Sequence, residues 1–224
     1  MIDMTPIWLT LKLASVTVVL LMITCIPLAW WLSSGKGKFK IFVESLTALP
    51  LVLPPTVLGF YLLVFLAPSG LLGSFWQNLT GNSLTFSFTG LVIASCLYSL
   101  PFVVQPLQTA FEMIDRRQVE AAWMLGASHQ KTFIQVVLPQ ARRGLVTAIV
   151  LGFAHTVGEF GVVLMVGGNI PGETQVISIA IYEKVETIDY AAAHTYSMLL
   201  LIFSFVTLVG VYSFNRRLHY GVRL

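Results

Sequence analysis

The chain has 224 residues, 56% of them hydrophobic and 10% charged, with a formal net charge of +3 and a mean hydropathy of +0.83. That balance excludes a water-soluble domain, and no charged side chain falls between Glu44 and Glu112, a stretch from which no soluble surface can be built. The basic residues sit in small clusters beside apolar segments, a pattern that orients membrane spans and does not suit nucleic-acid binding.

A membrane-crossing helix needs about 20 apolar residues, and five segments qualify. The first covers about 9–32; its basic group, Lys36, Lys38 and Lys40, follows it, the reverse of a secretory signal, so a retained span is expected. Cys25 and Cys96 each lie in an apolar run without metal-ligand neighbours and are expected as buried free thiols, which excludes a disulfide scaffold. The second span, 45–67, carries Pro50, Pro54 and Pro55. These remove backbone donors and leave carbonyls that only a protein neighbour or a water-filled cavity satisfies, so the span reads either as a pathway wall and hinge or as a static kink that improves packing. The uncharged link to the third span contains Pro68-Ser69-Gly70 and Asn78 to Ser83, turn chemistry that ends a helix. Asn78-Leu79-Thr80 matches a glycosylation sequon and is taken as chance. The third span is 87–111, with Pro101 and Pro106, the fourth 144–167 and the fifth 193–214. No inverted internal repeat is visible.

All basic residues except Lys12 and Lys184 fall on one side of this alternating path, which predicts the N-terminus outside and the C-terminus inside. The outer segment 168–192 is acidic, with Glu173, Glu183, Glu186 and Asp189 against Lys184. Within it Thr174 to Val185 is moderately apolar but too short to cross, which leaves open whether it forms a short helix against the outer face.

The inner loop from Asp115 to Gly144 reads as two short helices. Asp115 caps the first, with Gln118 reaching back in capping-box fashion; Gly126 permits the left-handed turn that stops it, and Ser128 caps the second. There Phe133, Ile134, Val137 and Leu138 form an apolar stripe opposite His129, Gln130, Lys131 and Gln135, until Pro139 ends or kinks the helix.

Glu120-Ala121-Ala122, then Gly126, Ala127 and Ser128, then Ile134 and Leu138-Pro139, resembles the EAA loop of permease subunits of bacterial ATP-binding-cassette (ABC) importers. The resemblance implies an all-α polytopic protein of the type I ABC importer (MetI-like) permease fold, 1–224 forming one transmembrane domain with the coupling loop, 115–143, inside it. It further implies that this loop docks on a separate ATPase subunit and couples nucleotide-driven closure to the spans. The run from Ala48 to Gly59, with Gly158-Glu159-Phe160-Gly161 and Gly167 to Thr174, is similar to molybdate permeases; sulfate and tungstate permeases share much of the pattern. The expected setting is thus the bacterial cytoplasmic membrane, with a second copy of the chain, two ATP-binding cassette subunits, an extracytoplasmic molybdate-binding protein and membrane lipid as partners. The chain has no Gly-x-x-x-x-Gly-Lys-Ser/Thr loop, so ATP and Mg are expected on the partner ATPase and no cofactor on this chain.

With only Lys12 as a basic residue inside a span, the resemblance implies a low-affinity conduit, not a tight mid-membrane site. Pro54, Pro55 and Thr56 in span two and His155, Gly158, Glu159 and Gly161 in span four are the candidate pathway or gate residues. Thr56, Ser95, Ser99 and Gln105 are available hydrogen-bond donors, or bond to neighbouring helices. His155 and Glu159, four residues apart, are expected to share a helix face. A proton relay, a metal site and a structural pair were all open to them; a carboxylate repels an oxyanion and two ligands are too few for a metal, which favours the pair. Neither a Gly-x-Ser-x-Gly elbow nor a His-Glu-x-x-His motif occurs, so no catalytic residue is assigned.

Overall fold

The computed structural model describes residues 3–35 and 37–220, with side chains omitted at 211, 212 and 214–220. Lys36 and Arg223 lie outside the described residues, as do the side chains of Arg216 and Arg217. Twelve α-helices run in chain order, and no strand occurs among the described residues.

The scaffold is built on α1 (Thr5–Ser33) and α5 (Phe88–Glu112), both long enough to cross a bilayer. Leu9, Leu13, Thr17, Leu21, Cys25 and Ala29 recur every four residues along α1 and are all buried, so one stripe of this uniformly apolar helix faces protein and the rest is left for lipid. The stripe meets α5, which begins where Ser87 caps it by accepting from the Gly90 amide at 3.1 Å. The first turns of α9 (Arg142–Val157) lie against α5, with Gly144 beside Ala110 and, two turns on, Gly152 beside Val103. At the basic end Leu21, Cys25, Val103, Leu107, Phe111, Val137 and Ala148 join in one core, closed by the edge-on pair Trp30 and Phe111 with ring centroids 5.5 Å apart.

The second predicted span is not one rod. The helix starts early, as α2 (Lys38–Ala48), which takes Lys38 and Lys40 out of the expected loop and into a helix. It tightens through Leu49–Leu51, breaks, and resumes as α3 (Pro55–Leu66) at 110° to the first half. Consecutive prolines explain the break: neither Pro54 nor Pro55 offers an N–H, and Pro54 is held extended at ψ 136 by the ring that follows it. The fourth predicted span is also interrupted, α9 ending at Val157 and α10 (Gly161–Gly167) following after Phe160. A second bend, of 73°, lies before α9, between His129–Gln140 and Arg142–Val157, so the described residues hold three unbroken spans by length and composition, or up to five if each of these two bent pairs counts as one.

One element escaped the hydropathy pattern. A helix, α4 (Leu71–Thr80), fills the link read as turn, ended by Gly81 in the left-handed region at φ 75. At the acidic end the short helix left open by the sequence forms as α11 (Ile177–Glu186), starting three residues later because Thr174 is used in a turn: its buried hydroxyl donates to the Gly167 carbonyl at 2.7 Å and accepts from the Ile170 amide at 3.2 Å. The last helix, α12 (Tyr190–Tyr220), leaves Leu201, Phe205 and Val206 exposed and touches the rest mainly near its start. Two bonds lash this region to the start of the chain: the Ile177 amide donates to Thr10 Oγ1 at 2.8 Å, and Tyr196 Oη donates to the Asp3 carbonyl at 2.8 Å.

Candidate functional site

The loop residues form three consecutive helical pieces: α6 (Arg116–Met124), α7 (His129–Thr132) and α8 (Leu138–Gln140), the last two joined by a π-helical turn at Phe133–Val137. Asp115 caps α6 by accepting from the Arg117 amide at 3.0 Å, and Ser128 caps α7 by accepting from the Lys131 amide at 3.3 Å, as expected. Gln118 does not face back toward the cap as a capping box requires; its carbonyl oxygen accepts from Gln140 Nε2 at 2.9 Å and fastens the two helices together. Gly126 stops α6 at φ 83, with the Ala127 amide donating to the Ala122 carbonyl at 3.0 Å and the Gly126 amide to the Trp123 carbonyl at 2.9 Å. This paired closure is the Schellman arrangement, and it requires a residue without a Cβ penalty at Gly126.

Three of the four residues of the expected apolar stripe face the core. Phe133 and Leu138 pack against it and Val137 is buried, but Ile134 is exposed, because the wider turn before Pro139 rotates it off that face. The loop's outer surface is apolar where a solvated turn would be polar: Met124 is 89% and Leu125 88% exposed, flanking Gly126. Behind them lies a cavity of about 250 Å³ lined by Trp30, Ser33, Arg116, Glu120, Trp123 and His129. Arg116 Nη2 donates to the Ser33 carbonyl at 3.0 Å, and the Trp123 and His129 rings meet edge-on at 4.8 Å. The loop is therefore pinned to the end of α1, and Glu120 faces the joint while Ala121 lies exposed and Ala122 half-buried beside it.

The candidate pathway residues are brought together in part. A Cβ built on Gly161 would lie 2.9 Å from Pro55 Cβ and 3.8 Å from the Thr56 amide, and one on Gly59 would lie 2.9 Å from Met165 Cβ. The two helix breaks, one after Pro54 and one after Val157, thus abut, and glycine on each side lets α3 and α10 close to backbone contact. Gly158 makes no such approach: its virtual Cβ meets only its own helix.

No hydrogen bond joins His155 to Glu159, and α9 ends between them at Val157. His155 Nδ1 bonds the Ser99 hydroxyl at 2.9 Å, which in turn bonds Thr156 Oγ1 at 2.9 Å, and the imidazole stacks on Phe102 with centroids 3.8 Å apart. Glu159 is 3% exposed, with neither carboxylate oxygen hydrogen-bonded; its carbonyl accepts from Ser178 Oγ. Among the described residues no three His, Cys, Asp or Glu side chains come together as metal ligands. Of the four candidate donors, Ser99 is taken by this network, Ser95 is buried without a partner, and Thr56 and Gln105 are exposed.

At the acidic end Lys12 Nζ sits 4.5 Å above the Phe88 ring. Glu183 is not a free surface charge, since Oε2 accepts from Asn169 Nδ2 at 2.7 Å and from Gln175 Nε2. Tyr182 donates to Glu186 at 2.6 Å, and that bond to a carboxylate holds the phenol ionisation above its usual value.

Residues 25–220 match the family described as binding-protein-dependent transport system inner membrane component. The chain is 53% identical to the molybdenum transport system permease protein ModB of Azotobacter vinelandii over 96% of this chain and 95% of that protein. It is 36% identical to the ModB of Escherichia coli strain K12, covering 80% of this chain and 78% of the other, and 34% identical to the sulfate transport system permease protein CysT of Synechocystis, covering 81% and 63%. In fold it is similar to a chain of a bacterial ABC transporter that imports alginate, with a TM-score of 0.76 at 19% identity over 96% of this chain and 79% of that one. It is similar too to a chain of the MetNI methionine ABC transporter, with a TM-score of 0.71 at 19% identity over 95% and 94%. The all-helical architecture with two broken helices and a pinned, apolar-tipped loop is accordingly that of a permease, and the chain belongs to the binding-protein-dependent transport system inner membrane component family.

Proposed function

We propose that the chain is the transmembrane subunit of an ATP-driven importer that carries molybdate, and with it tungstate, across the cytoplasmic membrane by alternating access. The observation that carries the coupling half of this reading is the loop surface at Met124 and Leu125. Two apolar side chains held out beside a rigid left-handed stop have no use in water, and they suit insertion into a groove on an ATPase subunit that supplies ATP and Mg. The names of the full-length relatives support molybdate over sulfate, since the identity is higher to the molybdenum permease from Azotobacter than to the sulfate permease of Synechocystis.

One loop per chain meets one ATPase groove, so two copies of the chain would serve a pair of ATPases, with the pathway along a two-fold axis. The basic residues beside the loop helices support an inner position for them, and the acidic segment around α11 an outer one, where an extracytoplasmic molybdate-binding protein docks. The chain itself hydrolyses nothing. The abutting breaks at Pro55 and Gly161 form the hinge on which the outer half moves, since a broken helix bends there without breaking further backbone bonds.

The test is ATP hydrolysis by the reconstituted complex with binding protein loaded with molybdate, tungstate or sulfate, for wild type and Gly126→Pro. Stimulation by the molybdate-loaded protein, lost in an assembled Gly126→Pro complex, is the expected result. Hydrolysis indifferent to all three ions, or uptake without any ATPase, defeats the reading.

A further inference from the structure

At the basic end of the bundle a further cavity, of about 580 Å³, opens where α1 ends, α2 begins and α5 gives way to α6. Four charged side chains line it: Lys40 and Glu44 from α2, Glu112 from the end of α5 and Arg116 from the start of α6. The signs balance, and Lys40 and Glu44 stand four residues apart on one helix, a spacing at which opposite charges ordinarily meet. Among the described residues, however, no ion pair joins any of the four to another. Lys40 Nζ donates to the Trp31 carbonyl and lies 5.1 Å from the centre of the Trp31 ring, and Arg116 Nη2 donates to the Ser33 carbonyl at 3.0 Å. Both cations are thereby fixed at the C-terminal end of α1, where the helix dipole favours positive charge. The carboxylates are gathered apart from them: Gln108 Nε2 donates to Glu44 Oε1 at 3.1 Å and to Glu112 Oε1 at 3.0 Å, which leaves one oxygen of each without a partner among the described residues.

The cavity is therefore polarised, cations on the wall made by α1 and anions on the wall made by Gln108, with a gap that the chain's own charges do not close. Two carboxylates drawn to one amide also repel each other, and a cation between their remaining oxygens relieves that repulsion. The complement of such a lining is a zwitterion, anionic at one end and cationic at the other. The surroundings indicate what carries it. On the outer face of α2, Phe39, Phe42 and Leu46 follow at spacings of three and four, each more than half exposed, as suits a helix lying in lipid. Ile41, which lines the cavity and is 62% exposed, lies between that stripe and the face of Lys40 and Glu44. Trp31 and Lys40 belong to the bilayer interface, where indole rings and basic groups collect. A seat for a headgroup thus adjoins a surface for acyl chains. At roughly 30 Å³ per liquid water molecule, the cavity holds about twenty waters, ample room for a phosphate and an aminoethyl group.

We propose that this cavity binds the headgroup of a phospholipid that bears a primary ammonium, as phosphatidylethanolamine does, with the phosphate held by Lys40 and Arg116 and the ammonium between Glu44 and Glu112. An anionic headgroup would answer the cations and leave two carboxylates facing it. A quaternary ammonium has no N–H to give them, whereas a primary ammonium has three. The leaflet rests on the orientation proposed above, which puts the basic end inside; the site rests on the cavity's own charges. Bound there, the headgroup bridges α1, α2 and the base of the coupling loop at Arg116, so that bilayer composition bears on how firmly the loop is seated.

The permease, purified alone and with its ATPase subunits, is stripped of lipid in detergent and titrated with phosphatidylethanolamine, phosphatidylcholine or phosphatidylglycerol of matched acyl chains, and bound lipid is counted by native mass spectrometry. Neither molybdate nor ATP is present, so the outcome is independent of the importer reading, which the ATPase assay decides. Phosphatidylethanolamine is expected to bind about tenfold more tightly than phosphatidylcholine, the worth of a hydrogen bond between charged groups. Glu44→Gln/Glu112→Gln, which keeps size and polarity, is expected to bring the two lipids level, and Lys40→Gln to weaken both alike through the shared phosphate. Equal binding of all three lipids, a preference for phosphatidylglycerol, or a preference for phosphatidylethanolamine that survives in a double glutamine variant eluting like wild type in gel filtration overturns the site. Loss of the preference in the assembled complex, which would put an ATPase side chain in the cavity, overturns it as well. So does displacement of the lipid by an equal concentration of O-phosphoethanolamine, which would make the occupant a soluble zwitterion.

Discussion

Helices α5 and α9 approach closely at Gly144, where a built Cβ would stand 2.2 Å from Ala110 Cβ and 3.0 Å from the Pro106 carbonyl. Carbon atoms in contact settle at about 3.5–4.0 Å, so Gly144→Ala must drive the two helices apart by roughly 1.3 Å or more. A Cβ has no rotamer with which to evade the clash, so the backbone must move. Overpacking of this kind costs about 1–3 kcal/mol, while the gain in helix propensity on replacing glycine returns about 1 kcal/mol. The single variant is therefore a blunt test, and a double-mutant cycle with Ala110→Gly is sharper. Propensity changes cancel in the cycle, and what survives is the Cβ–Cβ clash, expected at about 1–3 kcal/mol of favourable coupling. Unfolding of the permease by sodium dodecyl sulfate in mixed micelles, followed by tryptophan fluorescence, supplies the four free energies. Coupling below about 0.5 kcal/mol, the usual additivity error, would refute the close packing at this point.

Other expectations follow from local geometry. Gly126→Val places a β-branched side chain at φ 83 and costs about 1–3 kcal/mol of local strain; ATPase stimulation falls more than thermal stability, and equal losses in both would remove the coupling role. Met124→Ser/Leu125→Ser leaves the fold intact, because both side chains are exposed, and weakens co-purification with the ATPase; unchanged association would put the docking surface elsewhere. Thr174→Val deletes the hydroxyl that serves Gly167 and Ile170 and costs about 1–3 kcal/mol through the polar groups left unpaired, read as faster amide exchange over the turn before α11. Glu183→Lys removes the acceptor shared by Asn169 and Gln175 and loosens the same turn, whereas Glu173→Lys, at an exposed site, changes only binding-protein docking in a stimulation assay.

What could be read from the sequence was local. The caps at Asp115 and Ser128 and the stop at Gly126 each depend on a few neighbouring residues, and each formed where the pattern placed it. Hydropathy detects apolar length and is blind to direction, so the 110° turn at Pro54 and the break after Val157 passed as continuous spans, although the prolines had marked the first as a hinge candidate. The partners of His155 lie on another helix, at Ser99 and Phe102, beyond the reach of spacing arguments made along one chain segment.

The bonds that tie Thr10 to Ile177 and Asp3 to Tyr196 join residues made at opposite ends of translation. During synthesis α1 enters the bilayer first, yet the groups that clasp its outer end emerge only after most of the chain has left the ribosome. Until then the Thr10 hydroxyl, which donates to the Pro6 carbonyl at 2.7 Å, has no Ile177 amide to accept from. A chain cut short before α11 therefore carries an unclasped first helix, an open state available to membrane proteases. The clasp thus lets the fold register the completeness of its own synthesis.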